Sequence, residues 1–179
     1  MGWTEIPRYF ETKQEKESFV RSLFDEENIR HLSRDGTIFY VALQQGSEVR
    51  AYVVQTYQKY IYNGRHNPTR AFGYKIECET VCPAYYDAPR MLIDKLTPTT
   101  DASAMKWRSL CERTQHNRKL LKLAPVGTKL HLVDKVAGEI ILIQEDDKKL
   151  WVNEAHTLSY PVSLLVRQEF RIKYPRRVV

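Results

Sequence analysis

Two runs of β-branched and aromatic residues, TIFYVALQ (37–44) and EVRAYVVQTYQKYIY (48–62), flank the tripeptide Gln45-Gly46-Ser47. That arrangement predicts an antiparallel hairpin with Gly46 supplying the positive φ of its turn. Asn63-Gly64 is a second turn signal, and Ala71–Thr80 (AFGYKIECET) reads as a returning third strand. A sheet of this kind needs helices to bury its faces, and the flanking sequence supplies them. Thr12-Lys13-Gln14-Glu15 fits a capping box, in which the threonine oxygen accepts from the first turn while the glutamate reaches back. Phe19, Val20, Leu23, Phe24 and Ile29 follow at helical spacing, which predicts a helix from about Lys13 to Phe24 that resumes to His31. Asp35-Gly36 breaks the chain before the first strand.

Downstream, Pro89 suits the first turn of a short helix through Leu96, where its missing N–H has no partner to lose. A longer helix is predicted from Asp101, its N-cap, to about Leu120. Ala104, Trp107, Leu110 and Cys111 line one side of it, and Lys106, Arg108, Arg113 and Arg118 largely avoid that side. From Ala124 the pattern changes to short strands: Gly127–Val133, Gly138–Gln144, Lys149–Asn153 and Glu169–Tyr174. The predicted architecture is therefore α+β. An antiparallel sheet covered by two main helices fills residues 1–121, and a small SH3-like or OB-like β-barrel with a basic tail fills 122–179.

Of the 179 residues, 42% are apolar and 28% charged, a balance that excludes disorder. The longest apolar stretches, Ile140–Ile143 and Val162–Val166, are far too short to cross a bilayer. Glu5 and Glu11 interrupt the N-terminus and no apolar signal region is evident, so no membrane partner and a cytoplasmic location are expected. Three cysteines without framework spacing fit reduced thiols in a cytosol. The net charge of +6 is unevenly spread. Residues 1–35 hold six basic against eight acidic side chains, and 121–179 hold ten against seven. The surplus ends in Arg167, Arg171, Lys173, Arg176 and Arg177, which can meet phosphate, an acidic protein or solvent.

Cys78 and Cys82, joined by His66 or Cys111, form one loose CxxxC where zinc sites normally show two close pairs. The five histidines are scattered, and no GxSxG, HExxH or glycine-rich phosphate loop is present, so no metal or cofactor is expected. Asp101 is explained as a cap and Asp94 as a solvent-facing helix residue. Asp87, in Tyr85-Tyr86-Asp87-Ala88-Pro89, either caps the turn before Pro89 or, with Tyr86 and Lys75, forms the one polar cluster suited to an enzyme. Tyrosine is enriched: eleven in all, seven of them at Tyr52, Tyr57, Tyr60, Tyr62, Tyr74, Tyr85 and Tyr86. Interleaved with Lys59, Arg65, Arg70 and Lys75, these rings can stack bases while the cations meet phosphates. They equally suit a half-buried sheet face or a protein interface.

The segment FGYKIECETVCPAYYDAPRMLIDKLTPTTDASAMKWRSLC (72–111), following an opening Met-Gly-Trp-Thr, resembles a family of bacteria, plasmids and phages defined as a domain of unknown function. The resemblance is carried by Phe72, Gly73, Tyr74, Lys75, Tyr86, Asp87, Pro89, Leu96, Thr97, Pro98, Thr99, Ala104, Trp107, Arg108 and Cys111, roughly a quarter of the chain. Ala88 stands where that pattern has cysteine, which argues against a required metal or disulfide there. The resemblance implies a mobile genetic element in a bacterial cytoplasm, and no activity comes with it. The function expected is non-catalytic binding of nucleic acid or a nucleoprotein complex, through Tyr57, Tyr60, Arg65, Arg70, Lys75, Arg171, Lys173, Arg176 and Arg177. The alternative is a phage- or plasmid-encoded inhibitor of a host defence system that binds a host protein.

Overall fold

The computed structural model describes residues 2–61, 69–133 and 138–176. It is mixed helix and strand, with two antiparallel five-stranded sheets, and the chain divides into two compact units, residues 1–111 and 112–179. Unit 1 contains β1 (Thr4–Ile6), α1 (Lys13–Ser22), β2 (Ile29–Asp35), β3 (Ile38–Gln45), β4 (Glu48–Ile61), β5 (Thr69–Cys78) and α2 (Arg90–Ile93). Its sheet has the order β1-β5-β4-β3-β2. The β3–β4 hairpin turns through Gly46 at φ +60°, as its sequence predicts. The capping box is formed: the Thr12 hydroxyl accepts from the Glu15 N–H at 3.1 Å, and Glu15 accepts from the Thr12 N–H at 2.9 Å.

Helix does not resume after Phe24. A single 3-10 turn (Glu26–Asn28) leads directly into β2, and Ile29–Asp35 pairs along the edge of β3. The apolar residues there, Ile29 and Leu32, fit helical spacing and strand pairing alike. The open edge of β3 decides, because pairing satisfies the backbone polar groups of both segments.

Period-two alternation sorts the sheet residues onto two faces. Ile38, Tyr40, Ala42, Ala51 and Val53 are buried in one cluster with Leu92 and Ile93 of α2 and Trp107 and Cys111 of the long helix α3 (Ala102–Leu123). Phe39, Val41, Leu43 and Val54, which point the other way, are buried with Val20 of α1. Asp101 caps α3, its carboxylate accepting from the Ala104 N–H at 2.7 Å.

The residues that carry the family resemblance serve this packing. The indole N–H of Trp107, a fully buried ring, donates to the Tyr85 carbonyl at 2.9 Å. Arg108 forms two 2.7 Å bonds to Glu79, which is 0% exposed, and a third to the Thr97 carbonyl. The Thr97 hydroxyl accepts from the Val49 N–H at 2.8 Å, and the buried Phe72 ring meets Phe10 and Phe19 edge-on.

The division between the units falls within α3. Unit 2 holds the end of that helix, β6 (Lys129–Leu132), β7 (Ile140–Glu145), β8 (Lys148–Asn153), β9 (Ser159–Tyr160), α4 (Val162–Leu165) and β10 (Phe170–Lys173). Leu121, Leu130, Ile140, Leu142, Trp151 and Leu165 form its core, and the buried Asn117 amide donates to the Val166 and Gln168 carbonyls. The expected barrel is not closed: the order is β10-β6-β7-β8-β9, with β10 and β9 at opposite edges. At two residues, β9 is too short to carry a closing ladder. Among the described residues no helix is long and apolar enough to cross a membrane.

Candidate nucleic-acid interface

Unit 1 sets Lys59, Arg70 and Lys75 of its tyrosine-rich sheet beside carboxylates. Tyr57 lies opposite Gly73, where a Cβ would overlap its ring, so the glycine of Phe72-Gly73-Tyr74 makes room for an aromatic from the neighbouring strand. The half-exposed Trp3 packs on that ring with centroids 4.9 Å apart. Lys59 Nζ sits 5.4 Å over the Tyr57 ring and 2.6 Å from Glu5 Oε1, and the Tyr57 hydroxyl donates to the same carboxylate. The Lys59 ammonium, with the tyrosine hydroxyl, holds Glu5 below the usual carboxylate range, and Glu5 in turn raises Lys59. On the opposite face Tyr60 and Tyr9 stack 5.1 Å apart, with the Arg70 guanidinium 5.2–5.5 Å from both rings and 3.1 Å from Glu11. Lys75 reaches Glu77 at 2.7 Å, and Gln55 donates to the other oxygen of Glu77 at 2.6 Å. Exposed pairs of this kind contribute little to stability. Their consequence is electrostatic: Lys59, Arg70 and Lys75 each stand beside a carboxylate, and the patch offers phosphate little net field.

Unit 2 presents the contrary case. On the β10–β6 pair, Phe170 and Ile172 face Leu132 and Leu130 on the core side. Register therefore sets Arg171 directly opposite His131 and Lys173 directly opposite Lys129 on the other side. Lys173 and Lys129 are like charges directly opposite each other, an arrangement that destabilises a sheet. One carboxylate offsets part of this: Glu139 bonds Lys129 through one oxygen and His131 Nε2, at 2.9 Å, through the other. Lys129 holds Glu139 below the usual carboxylate range, and Glu139 raises Lys129. Arg171, Lys173 and the exposed Arg176 have no carboxylate in ion-pair contact among the described residues. Beside them opens a hollow of about 460 Å³ lined by His131, Leu132, Val133 and Arg171.

The structure thus brings Arg171 and Lys173 together and adds two residues that sequence reasoning left out, Lys129 and His131. The alternation in Lys129-Leu130-His131-Leu132 and in Arg171-Ile172-Lys173 was legible, but which cations face each other depends on strand register. Arg65, His66, Tyr62 and Arg177 lie outside the described residues. The polar trio weighed as catalytic comes from different elements: Lys75 is in mid-β5, while Tyr86 and Asp87 precede α2. There Tyr86 packs on the core and the Asp87 N–H donates to the Tyr40 hydroxyl at 3.0 Å. Cys78 ends β5, and Cys82, at φ 49°, packs against the same core. Among the described residues no three His, Cys, Asp or Glu side chains gather as metal ligands.

No family model, curated protein or solved structure matches the chain.

Proposed function

We propose that the chain is a non-catalytic binding protein that holds nucleic acid by its phosphates, through the β10–β6 ribbon of unit 2. The observation that supports this most directly is the register that sets Arg171 against His131 and Lys173 against Lys129, with Glu139 the one carboxylate in ion-pair contact with them among the described residues. The Lys173–Lys129 opposition disfavours the free sheet and is relieved when a polyanion supplies further negative charge. The ribbon's outer face carries no phenylalanine, tyrosine or tryptophan on these two strands and is mostly cationic, which favours contacts to the phosphate backbone over base reading. In this reading unit 1 is a scaffold, its sheet backed by α1 and the first half of α3. The setting, a mobile genetic element in a bacterial cytoplasm, rests on the family resemblance alone.

The test is fluorescence anisotropy with a DNA duplex and a single-stranded RNA of unrelated sequences, at 50 and 200 mM salt. Three phosphate contacts give a loss of about 40-fold for the duplex and about 20-fold for the single strand over that range, independent of sequence within each. If neither is bound at micromolar protein in low salt, the proposal fails. The rival then takes its place: an inhibitor that grips a host protein through the exposed rings of unit 1, in a complex that survives nuclease and depends on Tyr57 or Tyr60.

A further inference from the structure

The β10–β6 ribbon carries one side chain of the type whose charge changes near neutral pH, His131. It stands on the outer face with Arg171 directly opposite, Lys129 two residues along its own strand and Lys173 on the diagonal. The ring is half exposed, and its Nε2 lies 2.9 Å from Glu139 Oε1. An ionised carboxylate only accepts, so Nε2 carries the proton of that bond whether the ring is neutral or charged. The proton that charges the ring therefore goes to Nδ1, and the contact with Glu139 survives it. The other described histidines, His31 on β2, His116 on α3 and His156 after β8, are not on this strand pair.

The charges around the ring come from every strand that flanks it. Glu139, before β7, is shared between His131 and Lys129. Glu169, two positions before Arg171, pairs with Arg113 at 3.7 Å, and Glu154, just past the end of β8, acts on Lys129. Among the described residues the imidazole thus has one bonded carboxylate and three basic neighbours on its face, Lys129, Arg171 and Lys173. A phosphate laid across the ribbon adds negative charge beside all of them, and that charge favours the protonated imidazole over the neutral one.

We propose that His131 is a proton-linked phosphate contact: the ribbon takes up a proton from solvent at His131 Nδ1 as it binds a polyanion, and grips that polyanion more tightly as pH falls. This rests on the phosphate-binding reading above. Linkage joins the two halves, because a proton held in the complex and not in the free chain makes affinity rise with falling pH. The gain is complete once the ring is charged in the free chain as well, and it is absent at a pH where the ring stays neutral even in the complex. Phosphodiesters are ionised throughout that range. Glu139, held below the usual carboxylate range by Lys129, stays ionised too, so on this strand pair the ring is the group that changes.

Anisotropy with the DNA duplex at 50 mM salt should show affinity rising about fivefold from pH 7.5 to pH 5.5, with a salt slope steeper by about one at the lower pH. His131→Gln keeps a donor for Glu139 without titrating, and its affinity should change by less than about twofold over the same range. His131→Lys fixes the charge, and should bind at pH 7.5 about as tightly as the wild type does at pH 5.5, with no further rise. An NMR titration of the His131 ring in the wild-type chain, with and without duplex, locates the proton even if a variant fails to fold. Its midpoint should move up on binding, and an unmoved midpoint overturns the proposal. A wild-type affinity that is flat in pH while salt still weakens binding overturns it and leaves the ribbon reading intact. A rise that persists in His131→Gln assigns the proton to another group and overturns it equally. No binding at either pH sinks the ribbon reading itself, and this inference with it.

Discussion

The two sheets handle their cations in opposite ways. In unit 1, Lys59, Arg70 and Lys75 each meet a carboxylate, and Arg108 is locked onto the buried Glu79. In unit 2, Arg171 and Lys173 stand across a ladder from further basic groups, with Glu139 the one carboxylate, among the described residues, bonded to any of the four. A tally of lysines and arginines treats the regions alike, and a nucleic-acid reading based on composition assigns both. Pairing separates them. A cation beside its own carboxylate serves the fold or an uncharged interface, and only an unmatched one leaves potential for phosphate.

The largest effect that can break this contrast is in the scaffold. Arg108→Ala leaves Glu79 as an uncompensated buried charge, and removing one partner of such a pair costs about 3–5 kcal/mol. Thermal denaturation should show a fall of roughly 10 °C or more for a chain of this size. Trp107→Ala, which empties a fully buried ring site and loses the bond to Tyr85, belongs in the same range of about 3–5 kcal/mol. Arg171→Ala, an exposed change, should stay within about 0.5 kcal/mol of wild type. Equal losses at Arg108 and Arg171 would erase the distinction between structural and functional cations.

Next comes binding. The double reversal Arg171→Glu with Lys173→Glu should weaken duplex and single strand alike, by about 50-fold at 50 mM salt, and flatten the salt slope by about two. Stability should hardly move. If affinity survives, the phosphates are held elsewhere.

How far the sequence led differs between the two regions for the same reason. The hairpin at Gly46, the capping box at Thr12 and the Asp101 cap are local, written in residues a few positions apart, and all are present. Helical spacing carries through Ile29 towards His31, yet that segment opens β2, and the choice is made by β3, a partner that local periodicity cannot see. The barrel is not closed for a similar reason: four of the five strands are legible, but the two-residue β9 and the edge position of β10 are not. At the candidate site Arg171 and Lys173 were visible as a basic tail. Their opposition to His131 and Lys129, and the neutralisation of Lys75 and Arg70, are cross-strand facts fixed by register.

A gain of binding is a sharper test than a loss, and Glu139 offers one. Glu139→Gln releases Lys129 and His131 from the carboxylate that bonds both, and adds a unit of positive charge to the ribbon. Affinity for polyanion should rise about fivefold at 50 mM salt, with the slope steeper by about one phosphate. The Lys129 ammonium depresses the carboxyl of Glu139, so the pair is complete above the ordinary carboxylate range and is lost only as pH falls below it. Measurement at pH 7 therefore reads the full effect. Unchanged affinity would show that phosphate does not approach this strand pair.

The smallest expected effect is the one that completes the contrast. Lys59→Gln and Lys75→Gln each remove a cation from the tyrosine-rich sheet, the region whose composition most invites a nucleic-acid reading. If pairing is what matters, each cation was already cancelled at short range by Glu5 or Glu77, and phosphate never saw it. Each variant should then bind duplex and single strand within about twofold of wild type, with a salt slope changed by well under one. Carboxylate removal in the same places sharpens the point, because Glu5→Gln and Glu77→Gln leave Lys59 and Lys75 unmatched. These variants should gain weak, salt-sensitive binding that Arg171→Glu with Lys173→Glu does not abolish. A tenfold loss on Lys59→Gln alone would mean that a salt-bridged lysine still engages phosphate, and that the tyrosine sheet takes part in binding after all.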